Sequence, residues 1–206
     1  MNITTARKRF ALLAIGCALS SGGCRKQARP EQPPTAATKP ARYTFSAGES
    51  KIFFVAARAT GTCRGSFRTF SGAIVVDNQD LARSSVTVDI DMASLQTDDP
   101  QLATQLQAPA FLAAAKYPRA RFVSTAVGPG GELGATNTVT GNLELRGVTR
   151  SIAIPATVHV RPTDVDVDAE LKINRQDFGV GTAGPSNDGT QDQILINLEL
   201  HATQAP

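Results

Sequence analysis

Residues 165–174, Val-Asp-Val-Asp-Ala-Glu-Leu-Lys-Ile-Asn, alternate strictly between apolar and polar side chains. Neighbouring side chains of an extended chain point to opposite faces, so this pattern specifies a β-strand with one dry and one wet face. The dry row of Val165, Val167, Ala169, Leu171 and Ile173 must be covered by another layer of structure. The alternation then stops. Arg175-Gln-Asp177-Phe178-Gly179-Val180 gathers two opposite charges, an aromatic ring and a glycine, and reads as a structural corner. Arg175 and Asp177 would pair or bind backbone groups, Phe178 would act as a plug, and Gly179 would permit the turn.

The same period recurs along the chain. Strands are predicted at residues 51–58, 67–77 (bending at Gly72), 84–91, 119–127, 138–146, 151–160, 165–174 and about 192–200. Residues 60–65 read as a turn. Between the third and fourth strands the period changes. Asp98-Asp99-Pro100 is a helix start, and the alanine-rich stretch to Tyr117-Pro118 is expected to form two short helices broken at Pro109. The fold class is therefore all-β with a short helical insertion. Strands with one buried side favour antiparallel pairing. Eight of them suit a small closed barrel, and a two-sheet sandwich would show the same periodicity.

The first residues belong to a different class of segment. Arg7, Lys8 and Arg9 precede an apolar run at 10–19, the layout of a secretory signal, and about ten apolar residues are too few to span a bilayer, which needs roughly 20. Ser20-Ser21-Gly22-Gly23-Cys24 resembles a bacterial lipobox, with Cys24 as the acylated residue and Cys17 as the second choice. Cleavage would leave residues 24–42 as a flexible tether of net charge +4, rich in proline, alanine and threonine, and a domain from residue 43 to 206 of net charge −4. The basic balance of the whole chain thus sits at its N-terminus, where it suits an anionic membrane surface, and does not point to nucleic acid. Arg25 after Cys24 is not the aspartate that holds many lipoproteins at the inner membrane, so the expected location is the periplasmic face of the outer membrane.

Catalytic motifs are not evident. His159 and His201 both fall on the polar side of their strands and read as solvated, without a second metal-ligand residue at a useful spacing. Asp164, Asp166, Asp168 and Glu170 form an outward row on a strand instead of a calcium loop. Cys63 would be the only thiol left in the acylated chain, so no internal disulfide is expected. The reading is of a protein without catalytic residues, metal or cofactor.

Six segments carry a family likeness. They are Gly65-Ser-Phe67-Arg-Thr-Phe70-Ser-Gly72; Asp91-Met-Ala-Ser94-Leu-Gln-Thr97; Phe111 with Tyr117-Pro118-Arg-Ala-Arg-Phe122-Val-Ser124-Thr125; Gly141-Asn-Leu-Glu-Leu-Arg-Gly147-Val-Thr149-Arg150; Ile173-Asn174-Arg175-Gln-Asp177-Phe178-Gly179-Val180; and Asp192-Gln-Ile194. In this order the chain resembles the YceI-like family of exported lipid-binding proteins. The resemblance implies an eight-stranded lipocalin-like barrel whose apolar lumen binds, carries or stores an amphiphilic polyisoprenoid such as a quinone or polyprenyl lipid. Many members have a histidine on the first long strand, where this chain reads Val55-Ala56-Ala57-Arg58, so a headgroup contact by that histidine is not carried over. Candidate lumen residues are Phe54, Phe67, Phe70, Phe122, Val167, Leu171 and Phe178. The expected partners are the isoprenoid ligand and, through Cys24, a membrane; pairing of two barrels as a homodimer is compatible with the sequence. The alternative is an envelope interaction module whose inward side chains fill a packed interior.

Overall fold

The computed structural model describes residues 39–58, 61–181 and 190–205. Cys17, Cys24, the signal and the tether as far as Thr38 lie outside the described residues, as does most of the loop before the last strand. Among the described residues, eleven strands and one α-helix follow one another. They are β1 (Ala41–Ser46), β2 (Lys51–Arg58), β3 (Gly61–Phe67), β4 (Phe70–Val76), β5 (Ser85–Asp91), β6 (Leu95–Thr97), α1 (Pro100–Gln107), β7 (Arg119–Pro129), β8 (Asn137–Leu145), β9 (Val148–Val160), β10 (Asp164–Asn174) and β11 (Thr190–Gln204).

All pairings are antiparallel, and the ring β1-β4-β5-β7-β8-β9-β10-β11 closes where Tyr43 pairs with Gln204. Three pairs of strands lie end to end as single bent staves. β1 runs into β2 while β3 runs into β4, and β1 pairs with β4 as β2 pairs with β3; β5 and β6 continue each other along the far side of β4 and β3. The barrel therefore has eight staves in up-and-down order, and the sandwich alternative falls away. Closure removes the exposed sheet edges that an open sheet would leave.

The alternation builds the wall as expected. On β10, Val165, Leu171 and Ile173 are buried while Asp168, Glu170, Lys172 and Asn174 are exposed. Arg146 and Gly147 both take positive φ between β8 and β9, the two-residue hairpin turn that matches strand twist. The turn is therefore Arg146-Gly147, and Val148 and Thr149 already belong to β9.

Two sequence expectations are corrected. Residues 61–65 are not a turn but most of β3, whose inward positions Cys63 and Gly65 are small and whose neighbours Thr62, Arg64 and Ser66 are exposed. There are not two helices in the insertion: Asp99 caps α1 through its side chain on the Gln101 amide, and α1 ends at Gln107. Beyond it Pro109 and Ala113, with φ of 50°, set a run of turns that carries the chain to β7. The first strand takes in Ala41 and Arg42, ahead of the expected domain start.

At one end of the barrel the wall parts. β5 pairs with β7 up to Asp91, but β6 pairs only with β3. α1 and the turns after it fill that opening, with Met92, Ala114 and Ala120 packed together beneath them.

Candidate functional site: an apolar lumen in two chambers

The barrel is hollow. A near cavity of about 170 Å³ lies under α1, with Phe54, Phe67, Leu106, Phe111 and Leu145 in its wall. A far cavity of about 140 Å³ lies toward the other end, lined by Val76, Val88, Phe122, Val139, Val167 and Leu171 among others. Ile52, Ile90, Leu143 and Ile196 line both and form the waist between them. Ser84 and Asn137 are the polar residues of the far lining. Arg58, Cys63, Gln105 and Arg175 are those of the near one.

Glycines opposite phenylalanines keep this space open. Phe54 on β2 is in register with Gly65 on β3, and a Cβ at Gly65 would meet the Phe54 ring at 2.5 Å. Phe122 on β7 is in register with Leu143, and its ring reaches diagonally over Gly141 on β8, where a Cβ would meet it at 2.5 Å. With no side chain beneath them, both rings lie against the wall. A larger inward residue at either glycine would push a ring into the lumen.

Of the seven candidate lumen residues, Phe54 and Phe67 line the near chamber, their ring centroids 6.2 Å apart. Phe122, Val167 and Leu171 line the far one. Phe70 and Phe178 line neither: Phe70 is packed at 5% exposure beside the bend between β3 and β4, and Phe178 at 2% beneath the corner. Sequence reasoning did not reach the third wall, made by Leu102, Leu106, Phe111 and Leu112 of the insertion. The spacing of Leu102 and Leu106 in the otherwise polar α1 was the available signal for the first two, whereas Phe111 and Leu112 lie in the turns beyond it.

The corner is held by Arg175 and by bonds to its backbone carbonyls. Asn174 caps a short 3₁₀ turn by accepting from the Gln176 amide. Arg175 is 4% exposed, donates to the Val180 carbonyl at 3.3 Å and pairs with Asp192 at 3.4 Å. Asp177 has an exposed side chain, and its backbone carbonyl accepts from Arg150 at 3.1 Å. Gly179 adopts the left-handed conformation at φ 62°. Arg146 ties the corner to the insertion by donating to the carbonyls of Gly179 and Pro109, and the Gly181 amide donates to Ala110. Corner and cap thus form one connected rim.

At the opposite end, Asp164, Asp166 and His201 converge, but the Arg161 guanidinium already spans both carboxylates. His201 Nδ1 lies 2.6 Å from Asp166, so this histidine is a paired group instead of a freely solvated one. Its pKa is raised, chiefly by that hydrogen bond, and the Asp166 carboxyl is held low by His201 first and Arg161 second. His159 on β9 is exposed and stands in register with Asp166 on β10. Cys63 is buried in the near lining, and burial pushes its thiol up. This protonated side chain serves as apolar wall.

Comparison with known proteins places this geometry. Residues 43–202 match the model of the YceI-like domain. A UPF0312 protein from Pseudomonas savastanoi pv. phaseolicola is 31% identical over 187 residues, covering 88% of this chain and 91% of that one. Among solved structures, Burkholderia cenocepacia BcnA superposes with a TM-score of 0.71 at 30% identity, over 77% of this chain and 99% of its own. A polyisoprenoid binding domain from Saccharophagus degradans, implicated in plant cell wall breakdown, shares the fold with a TM-score of 0.58 at 16% identity, over 81% and 100% of the two chains.

Proposed function

The chain belongs to the YceI-like family, and from that membership and its hollow interior we propose that it binds one amphiphilic isoprenoid lipid, of quinone or polyprenyl type, with the tail held in the barrel lumen. The observation that carries this reading is the pair of apolar chambers sharing a waist. Protein interiors are close-packed, with few voids larger than a water molecule. Left unfilled, cavities cost about 24 cal/mol per Å³, so the two chambers together would forfeit roughly 7 kcal/mol, a large part of the 5–15 kcal/mol that usually separates folded from unfolded chains. A packed interior would avoid that cost. A prenyl tail recovers it, at about 25 cal/mol for each Å² of apolar surface withdrawn from water. The binding description of the Saccharophagus degradans domain agrees with this reading.

Carriage or storage of the lipid in the envelope is the role that follows, with export by the N-terminal signal and anchoring through Cys24 to the outer membrane. The small residues before Cys24 and the basic tether support that placement; a Cys24→Ala chain that still fractionates with membranes would remove the anchor. For the ligand itself, the test is native mass spectrometry with lipid extraction of protein purified from its own envelope. One prenyl species per chain is expected. A folded protein whose mass is that of the bare polypeptide, and which takes up no added prenyl lipid, would contradict the proposal.

A further inference from the structure

The inward row of β2 reads Ile52, Phe54, Ala56, Arg58, and all four residues line the near chamber. The alternation that builds the apolar wall therefore ends on an arginine that lines the lumen at its capped end. Arg58 is half-buried, and among the described residues its side chain has neither a hydrogen bond nor an ion pair. A charge facing an apolar cavity carries a desolvation cost that only a counter-charge or water offsets.

The other polar groups of this chamber do not supply the counter-charge. Arg175 is a second cation and is engaged with Asp192 and the Val180 carbonyl. Gln105 is a neutral amide on the exposed side of α1. Cys63, in register with Ala56 one inward position from Arg58, is raised by burial, with the Arg58 charge acting against that rise and the Asp98 charge adding to it. Asp98 is exposed and is not within ion-pair distance of Arg58.

Guanidinium presents a planar fork of donors that matches the oxygens of phosphate or carboxylate and is weakly hydrated enough to work in a partly dry setting. We propose that the near chamber ends in an anion subsite, and that the ligand is a single-tailed lipid whose phosphate or carboxylate headgroup docks on Arg58 while the tail runs through the waist into the far chamber. This identification rests on the lumen being a prenyl site. It narrows the class of lipid from any isoprenoid to an acidic one.

The experiment compares geranylgeranyl monophosphate, geranylgeranoic acid and geranylgeraniol on the purified, delipidated full chain and on Arg58→Gln, with each dissociation constant measured at low and high salt. Charge-assisted hydrogen bonds are worth about 1.5–3 kcal/mol, so wild type should favour at least one acid over the alcohol by roughly tenfold or more, and the preference should shrink in high salt. In Arg58→Gln the ratio of acid to alcohol affinity should fall to near one, and Arg58→Lys should restore part of it. Which acid wins identifies the headgroup as phosphate or carboxylate. Equal binding of alcohol and acids by wild type, or a ratio unchanged in Arg58→Gln, overturns the anion subsite and leaves the prenyl lumen standing. Binding of none of the three overturns both.

Discussion

Arg175 lies almost wholly buried at the corner after β10, where it bonds the Val180 carbonyl and pairs with Asp192 at the start of β11 among its contacts. Its removal would leave a cavity, an unmatched carbonyl and a loosened joint between two staves. Asp192 is half-exposed and can return to water, which limits the loss. Arg175→Ala should therefore cost about 2–3 kcal/mol of stability, measured by urea denaturation, and its retained prenyl species should be that of wild type. A variant as stable as wild type that has lost its ligand would reassign Arg175 from structure to binding. A different residue pair reports on pH. The unfolded His201 titrates near 6.5, and in the fold its pKa is raised by Asp166. The stabilisation is thus complete below about pH 6.5 and drains away as pH rises through the folded value. On the acid side Asp166 is held low, so the contribution persists above about pH 4 and is lost as pH falls through the lowered value. The melting-temperature difference between wild type and His201→Gln should be greatest between those limits and shrink toward pH 9. A difference that stays flat from pH 5 to 9 would show that the pair does not behave as a proton-linked contact.

At the level of elements, the two-residue period was enough to place the inward rows of β5, β8, β9, β10 and β11, because each carries branched apolar residues on one face; β7 shifts register between Ser124 and Ala126 and turns Val123 outward. It missed β3 for a physical reason. Cys63 and Gly65 are small so that Phe54 and the near chamber have room, and a strand with small inward residues shows no apolar alternation to read. The extra helix expected after Pro109 failed differently. Alanine favours helix, but Ala113 is held at positive φ by turns that close on the carbonyls of Gln107 and Ala108. Of the candidate site, the wall residues Phe54, Phe67, Phe122, Val167 and Leu171 were legible as inward positions. Phe70 and Phe178 were equally apolar, and only three-dimensional packing separates a plug from a wall. Alternation also cannot say whether inward side chains meet at the axis, and here they do not. The waist offers a direct handle on the lumen. Leu143→Trp should obstruct the passage between chambers, so that forty-carbon prenyl chains lose about tenfold or more in affinity, through apolar surface left in water at ~25 cal/mol per Å², while fifteen-carbon chains change little. Equal loss for both lengths would mean the chambers do not act in series.

For the molecule as a whole, eight staves close through β1 and β11, the ring leaves a gap between β6 and β7, and the insertion covers it with an apolar wall of its own. The barrel is thus a container with a capped end, and Arg146 joins the cap to the corner after β10. The far end closes on polar pairs: Tyr43 donates to the Arg161 carbonyl, and Arg161 spans Asp164 and Asp166. One end is therefore held by ion pairs on the outer face, and the other has Arg58 among the residues that line its chamber. The central claim is that a single prenyl tail threads both chambers. A crystal structure of the lipid-loaded protein tests it most directly. Continuous density from beside Arg58, past Ile52, Ile90, Leu143 and Ile196, into the chamber lined by Phe122 and Val167 is the result predicted. Side chains collapsed into both chambers, or lipid bound only on the outer surface of the barrel, would contradict it.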